Sequence, residues 1–176
     1  ISRIEIASAG GYLSYENIAD KATIAGLELE MRKNIFQRTN NDENQDRQNK
    51  LSIGFNGSYI HTEAYVDLAA KQSELEGAAP FIVNFDLSHN LVNGERSYTN
   101  AIMLNYFSDR IYTIGTQGYQ DIMEKGVPTL DFVSSTKLNR HFTVSLKARN
   151  LLNAKYQLTR DANGTQDTQV VRRQRH

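Results

Sequence analysis

The sequence predicts an all-β fold, an antiparallel up-and-down meander of about seven or eight strands. Apolar and polar residues alternate from end to end, while helical periodicity is almost absent. Polar and glycine-bearing segments interrupt the alternation, and these connections tend to alternate in length. At 176 residues without a shift in composition, residues 1–176 are expected to form a single region.

Residues 11–17 read as a first strand and 18–21 as a short turn. Residues 22–36 hold the longest alternation, with Ala25, Leu27, Leu29 and Met31 opposed to Ile24, Gly26, Glu28, Glu30 and Arg32. The second of these faces needs water along its length. Residues 37–50 contain no apolar side chain and are expected to be a loop. Asp42, Asn44 and Asp46 imitate the first ligands of a calcium loop, but its glycine and closing glutamate are missing, so no metal is assigned.

Alternation resumes over 51–66, with Leu51, Ile53, Phe55 and Tyr59 against Ser52, Gly54, Asn56 and Ser58. Residues 67–79 should be a loop with a short helical turn. In 80–91, Phe81, Val83, Phe85 and Leu87 oppose Asn84, Asp86, Ser88 and Asn90. The turn at 92–96, centred on Asn93-Gly94, is the strongest hairpin signal. A strand over 97–112, a loop over 115–128, a strand over 130–138 and a turn at 138–141 follow. In 142–156, Phe142, Val144, Leu146 and Ala148 oppose Thr143, Ser145, Lys147 and Arg149, and the segment ends in Asn150-Leu151-Leu152-Asn153-Ala154-Lys155-Tyr156. Residues 161–168 read as a loop and 169–176 as the start of one more strand.

The connections at 92–96 and 138–141 are tight, whereas those at 67–79, 115–128 and 159–168 are long. Short turns on one rim and long loops on the other characterise outer-membrane barrels, and the segment 37–50 is the exception. Tyr59, Tyr65, Phe81, Tyr98, Tyr106, Phe107 and Tyr112 sit toward strand ends, where interfacial girdles would lie. The alternative is a small lipocalin-like barrel binding an apolar ligand inside. The two differ in whether Leu27, Phe85 and Val144 point outward or inward.

Twenty basic and twenty acidic residues leave no net field for nucleic acid, and Arg172, Arg173 and Arg175 read as a solvated tail. Without cysteine there is no disulfide and no thiolate site. A mean hydropathy of −0.55 does not exclude a membrane barrel, whose strands average lipid-facing and lumen-facing residues. His61, His89, His141 and His176 are scattered and no catalytic motif occurs, so neither an enzyme nor a cofactor is expected. Glu28 and Glu30 could be spaced as a carboxylate pair, about 7 Å apart by pleat geometry, but charged lining is the preferred account.

Three segments carry a resemblance. Residues 15–30, YENIADKATIAGLELE, with Asn17, Gly26, Glu28 and Glu30, resemble a strand of the TonB-dependent outer-membrane receptors. APFIVNFDL at 79–87 resembles the entry to a later strand, and NLLNAKY at 150–156 the signature near the carboxyl end. The resemblance implies a 22-stranded transmembrane β-barrel in the outer membrane of a Gram-negative bacterium, closed by an amino-terminal plug. Such a receptor imports a scarce ligand (siderophore, cobalamin, glycan or peptide) with energy from the TonB complex.

This chain has neither plug nor coupling box, and it ends in Arg-Gln-Arg-His where the family ends in an aromatic residue. It is expected to cover about the final third of such a barrel. The expected partners are the lipid bilayer, the rest of the barrel and the plug. Leu27, Leu29, Phe55, Val83, Phe85, Val144 and Leu146 would then face lipid. Glu28, Glu30, Asn84, Asp86, Lys147 and Arg149 would face the lumen. Tyr119 and Tyr156, aromatic and beside long loops, are candidate ligand contacts or interfacial anchors.

Overall fold

A computed structural model describes residues 2–6, 12–17, 19–42, 45–67, 70–116, 118–162 and 165–170. The strands in chain order are β1 (Ser2–Ile6), β2 (Tyr12–Glu16), β3 (Ala22–Asp42), β4 (Gln45–Val66), β5 (Lys71–Ser73), β6 (Phe81–Asn93) and β7 (Arg96–Phe107). They continue as β8 (Arg110–Gly115), β9 (Ile122–Glu124), β10 (Thr129–Lys137), β11 (Thr143–Ala148), β12 (Gln157–Ala162) and β13 (Thr165–Val170). The described residues contain no α-helix, so the all-β expectation holds.

The larger sheet is an antiparallel meander in the spatial order β11-β10-β7-β6-β4-β3, with β5 pairing the end of β4. Register puts one apolar set on a common face. Leu29 stands opposite Gly57, then Val83 and Tyr106; Met31 opposite Phe55, Phe85, Leu104 and Leu130. A bulge between Asn34 and Phe36 adds Ile35 to β3, which turns Phe36 onto the same face, opposite Leu51. The other face carries Glu28, Glu30, Ser58, Asn56, Asn84, Asp86, Asn105 and Lys147, interspersed with Ile82, Met103, Phe107 and Val133.

Residues 37–50 are not a loop. Gln37 to Asp42 pair with Lys50 to Gln45, so β3 and β4 form one long hairpin. A polar run can pair in this way when both faces meet water and every backbone group finds its partner across the ladder. The correction removes the exception in the pattern of connections, because β3–β4, β6–β7 and β10–β11 are all joined tightly on one rim. At β6–β7 the closing pair is Asn93 with Arg96, so the turn residues are Gly94-Glu95, with Gly94 at φ 59 as a II′-type hairpin requires.

The first two strands join strands from the later connections in a second sheet, in the order β13-β12-β9-β8-β1-β2. This is the main departure from a single meander, and its β1–β8 pair is parallel, Ile4 facing Ile114. The strand expected over 97–112 ends at Phe107, and the chain enters this sheet as β8 after Ser108-Asp109. The loop expected at 115–128 contains β9. The segment expected at 161–168 includes paired strand on both sides of the β12–β13 turn. Within 67–79 the helical signal is reduced to a single tight turn, in which the Ala70 N–H donates to the Asp67 carbonyl at 3.2 Å, and β5 then pairs with β4. Of the strand expected over 169–176, residues 171–176 lie outside the described residues.

Ile4, Val66, Ile111 and Ile114 form a small buried core beneath this second sheet, with Ala19 and Met123 packed against it. Fully burying side chains of this size contributes about 1.5–3 kcal/mol each. Among the described residues the apolar face of the larger sheet has no such cover, and Leu27, Leu29, Phe85 and Val144 remain exposed.

Candidate functional site: a two-faced sheet and a cleft at the loop rim

In the central strands of the large sheet the apolar face is the more exposed one, whereas the described residues of β3 and nearly all of β11 are exposed on both faces. In β6, Phe81, Val83 and Phe85 are exposed while Ile82, Asn84 and Asp86 are half-buried; in β7, Ile102, Leu104 and Tyr106 alternate likewise with Met103, Asn105 and Phe107. Leu27 reaches 75% exposure and Val144 61%. A lipocalin-like interior would enclose these side chains. Aromatic residues border the apolar field, with Tyr59, Phe81 and Tyr106 toward the loop rim and Phe36, Tyr98 and Phe142 toward the turn rim. The Tyr59 and Phe81 rings meet at 5.0 Å between centroids.

The polar face is a hydrogen-bonded ladder. Asn56 Nδ2 donates to Glu28 Oε1 at 2.7 Å, and Asn84 Nδ2 donates to Asn56 Oδ1 at 3.3 Å. Arg32 approaches Asp86 at 3.9 Å. Register therefore gathers Glu28, Glu30, Asn84, Asp86 and Lys147 on one face, as their alternation predicts. Arg149 lies one residue beyond β11, outside the ladder.

At the loop rim a cleft of about 440 Å³ opens between Phe107, Arg110, Glu124, Thr129, Asn150 and Tyr156. The β8–β9 hairpin holds a two-pronged ion pair here, Arg110 Nε and Nη2 donating to Glu124 at 2.9 and 3.0 Å. Glu124 is only 4% exposed, and the Arg110 guanidinium lies 4.7 Å from the Phe107 ring centroid. Tyr156 donates to the same carboxylate; burial first, and the Glu124 charge second, push its phenol up to about 12. Beside the cleft, burial alone would raise Asp109. The Lys125 ammonium at 2.7 Å and the Gly126 N–H at 2.8 Å outweigh it and hold the carboxyl below its ordinary value.

The signature NLLNAKY becomes a compact turn rather than a continuing strand. Asn150 and Asn153 both adopt positive φ, 53° and 51°, a region asparagine tolerates better than most residues. Asp131 accepts the Asn150 N–H at 2.7 Å, and Leu151 N–H donates to the Leu130 carbonyl at 2.8 Å. This knot ends β11 and delivers Tyr156 to the cleft.

Tyr119 sits elsewhere, 42% exposed, its ring centroid 5.6 Å from the Arg160 guanidinium. Arg160 also pairs with Glu5, tying β12 to β1. The two tyrosines thus share a rim but not a cleft. Sequence reasoning missed Arg110 and Glu124, because the former was placed inside a continuous strand and the latter inside a loop. Only a break recognised at Ser108-Asp109 could have brought them together.

These features define a class: an all-β protein whose antiparallel meander is oily on one side and polar on the other, with a charged cleft at one rim. Comparison with protein-family models, with curated proteins and with solved structures found no match to this chain.

Proposed function

We propose that this chain forms part of the barrel wall of a TonB-coupled outer-membrane receptor that imports a scarce ligand. The observation carrying this reading is the exposure of β4, β6 and β7, where the apolar side chains are more exposed than the polar ones on the opposite face, which suits contact with lipid on one side and a wet lumen on the other. From Tyr98 to Tyr106, β7 runs about 26 Å at about 3.3 Å per residue, comparable with the apolar band of about 25 Å in such barrels. Among the described residues β3 and β11 each leave one edge unpaired. In hydrocarbon those edges require further strands, because each unpaired backbone group costs several kcal/mol. Tight turns on one rim and an elaborated second sheet on the other match the periplasmic and external sides of such a barrel.

The chain has no cysteine, so single cysteines report unambiguously. With the chain reconstituted in vesicles, cysteines replacing Leu27, Phe85 or Val144 should react with a bilayer-confined maleimide. Those replacing Glu28, Asp86 or Lys147 should react only with a water-soluble one. Reversal of that pattern, or a chain that stays folded and monomeric in buffer without detergent, would overturn the proposal.

A further inference from the structure

The β8–β9 hairpin builds a cation into the loop-rim cleft and leaves part of it unspent. Of the five N–H groups of an arginine, Arg110 commits Nε and Nη2 to the two oxygens of Glu124 and Nη1 to the Gly77 carbonyl at 3.2 Å. One N–H on each terminal nitrogen remains, without a partner among the described residues. Glu124, its side chain 5% exposed, braces the guanidinium from within, so this spare pair is held in place. Lys155 lines the same cleft and is exposed, and among the described residues no ion pair engages it. The one carboxylate among the lining residues, Glu124, is already occupied by Arg110 and Tyr156. Outside the lining, Asp109 is paired with Lys125 and Asp131 accepts the Asn150 N–H. Arg110 and Lys155 against Glu124 leave the cleft with a positive excess.

We infer that this cleft binds a small sugar acid, its carboxylate gripped by the spare N–H pair of Arg110 and by the Lys155 ammonium. The inference rests on the receptor reading and deepens it, giving the imported ligand a chemical class. A carboxylate balances the excess charge and accepts the paired donation that a guanidinium offers best. Phe107 and Val127 present apolar surface to the C–H face of a pyranose ring, while the Thr129 hydroxyl and the Asn153 amide line the same space and can bond its hydroxyls. The volume, about 440 Å³, falls among those of small-molecule sites. A neutral sugar would fill the same space but leave Lys155 unbalanced and the Arg110 donors unpaired. A site built to bond one polar group discriminates against the analogue that lacks it.

The test is titration calorimetry of the chain in detergent micelles at neutral pH, with galacturonate and its neutral counterpart galactose as probes. The wild-type chain should bind galacturonate more tightly by about tenfold or more, the effect of one charge-assisted hydrogen bond. The preference should weaken as NaCl is raised. Lys155→Gln should lower the galacturonate affinity by about tenfold. Arg110→Lys should lower it similarly, because lysine keeps the charge but cannot offer the fork. Lys137→Gln, at the opposite rim, should leave it unchanged. Absence of galacturonate binding, equal affinity for the two sugars, or undiminished affinity in both cleft variants overturns the inference and leaves the wall reading intact. Reversal of the cysteine-labelling pattern overturns the wall reading whichever sugar binds. Because selectivity between the sugars is read on the wild-type chain, the outcome does not depend on the variants folding.

Discussion

Asn150 holds Ala154 from both sides: its Oδ1 accepts the Ala154 N–H at 2.9 Å, and its Nδ2 donates to the Ala154 carbonyl at 3.3 Å. One side chain thus closes a turn that also needs a left-handed backbone at its first residue. The turn sets where β11 stops and where Tyr156 enters the cleft.

Replacing Asn150 with alanine removes two hydrogen bonds of about 1 kcal/mol each and leaves a side chain less tolerant of positive φ, a further penalty of about 1 kcal/mol. A destabilisation of about 2–3 kcal/mol is expected by these terms. Asn150→Gly keeps the backbone at ease and should lose only the hydrogen-bond part. Urea unfolding midpoints at unchanged m value separate the two; equal losses would show that backbone strain contributes nothing.

Tyr156 carries a pH signature. Its phenol is pushed up to about 12 in the folded chain, by burial and then by Glu124, against an ordinary value of 10.0. A group raised in this way contributes stability that is present in full below pH 10 and is lost as pH rises toward 12. Absorbance titration near 295 nm should therefore show one of the nine tyrosines ionising late. In Tyr156→Phe that late step should disappear, and the alkaline fall in stability should shrink. A Glu124→Gln variant should bring the step earlier, because it removes the carboxylate charge and leaves burial.

Gly126 marks where the connection between β9 and β10 crosses the end of β7. A Cβ at this position would lie 2.1 Å from the Phe107 carbonyl oxygen and 2.8 Å from the Ser108 carbonyl carbon, both backbone atoms that cannot swing aside. Gly126→Ala should force the two segments apart and destabilise by about 1–3 kcal/mol, the range of overpacked sites. Because Asp109 accepts the Gly126 N–H, the shift should also raise the Asp109 pKa toward its ordinary value, readable by carboxyl-carbon NMR titration.

The meander was legible because its signal is local. Period-two alternation in Leu27, Leu29 and Met31, or in Phe81, Val83 and Phe85, assigns a face without any knowledge of partners, and the register then joins these sets as expected. Residues 37–50 misled because the alternation rule reads a paired polar hairpin as a loop: no oily face marks it, only backbone hydrogen bonds between Gln37–Asp42 and Gln45–Lys50. The second sheet was hidden for a different reason. Its strands have few residues, and the parallel contact of Ile4 with Ile114 joins segments remote in sequence. Glu5, meeting Arg160, and Arg110, meeting Glu124, look like ordinary surface charges until that sheet is built.

The sharpest test of the two-faced sheet is a charge placed on its oily side. Phe85 lies mid-face, opposite Phe55 and Leu104, and is 37% exposed. If this face meets water, Phe85→Arg is a surface change and should shift stability by only about 0.5 kcal/mol. If it meets hydrocarbon, an arginine near the midplane should destabilise the membrane-assembled state by about 2–4 kcal/mol, while Thr136→Arg, nearer the turn rim on the same face, should cost about 0–1 kcal/mol. The depth dependence is diagnostic, because simple loss of packing at Phe85 would be reproduced by Phe85→Ala and a bilayer penalty would not. Unfolding titrations of Phe85→Arg, Phe85→Ala and Thr136→Arg in vesicles should therefore place the first well below the other two. Equal midpoints for the arginine and alanine variants would remove lipid from the account of this face.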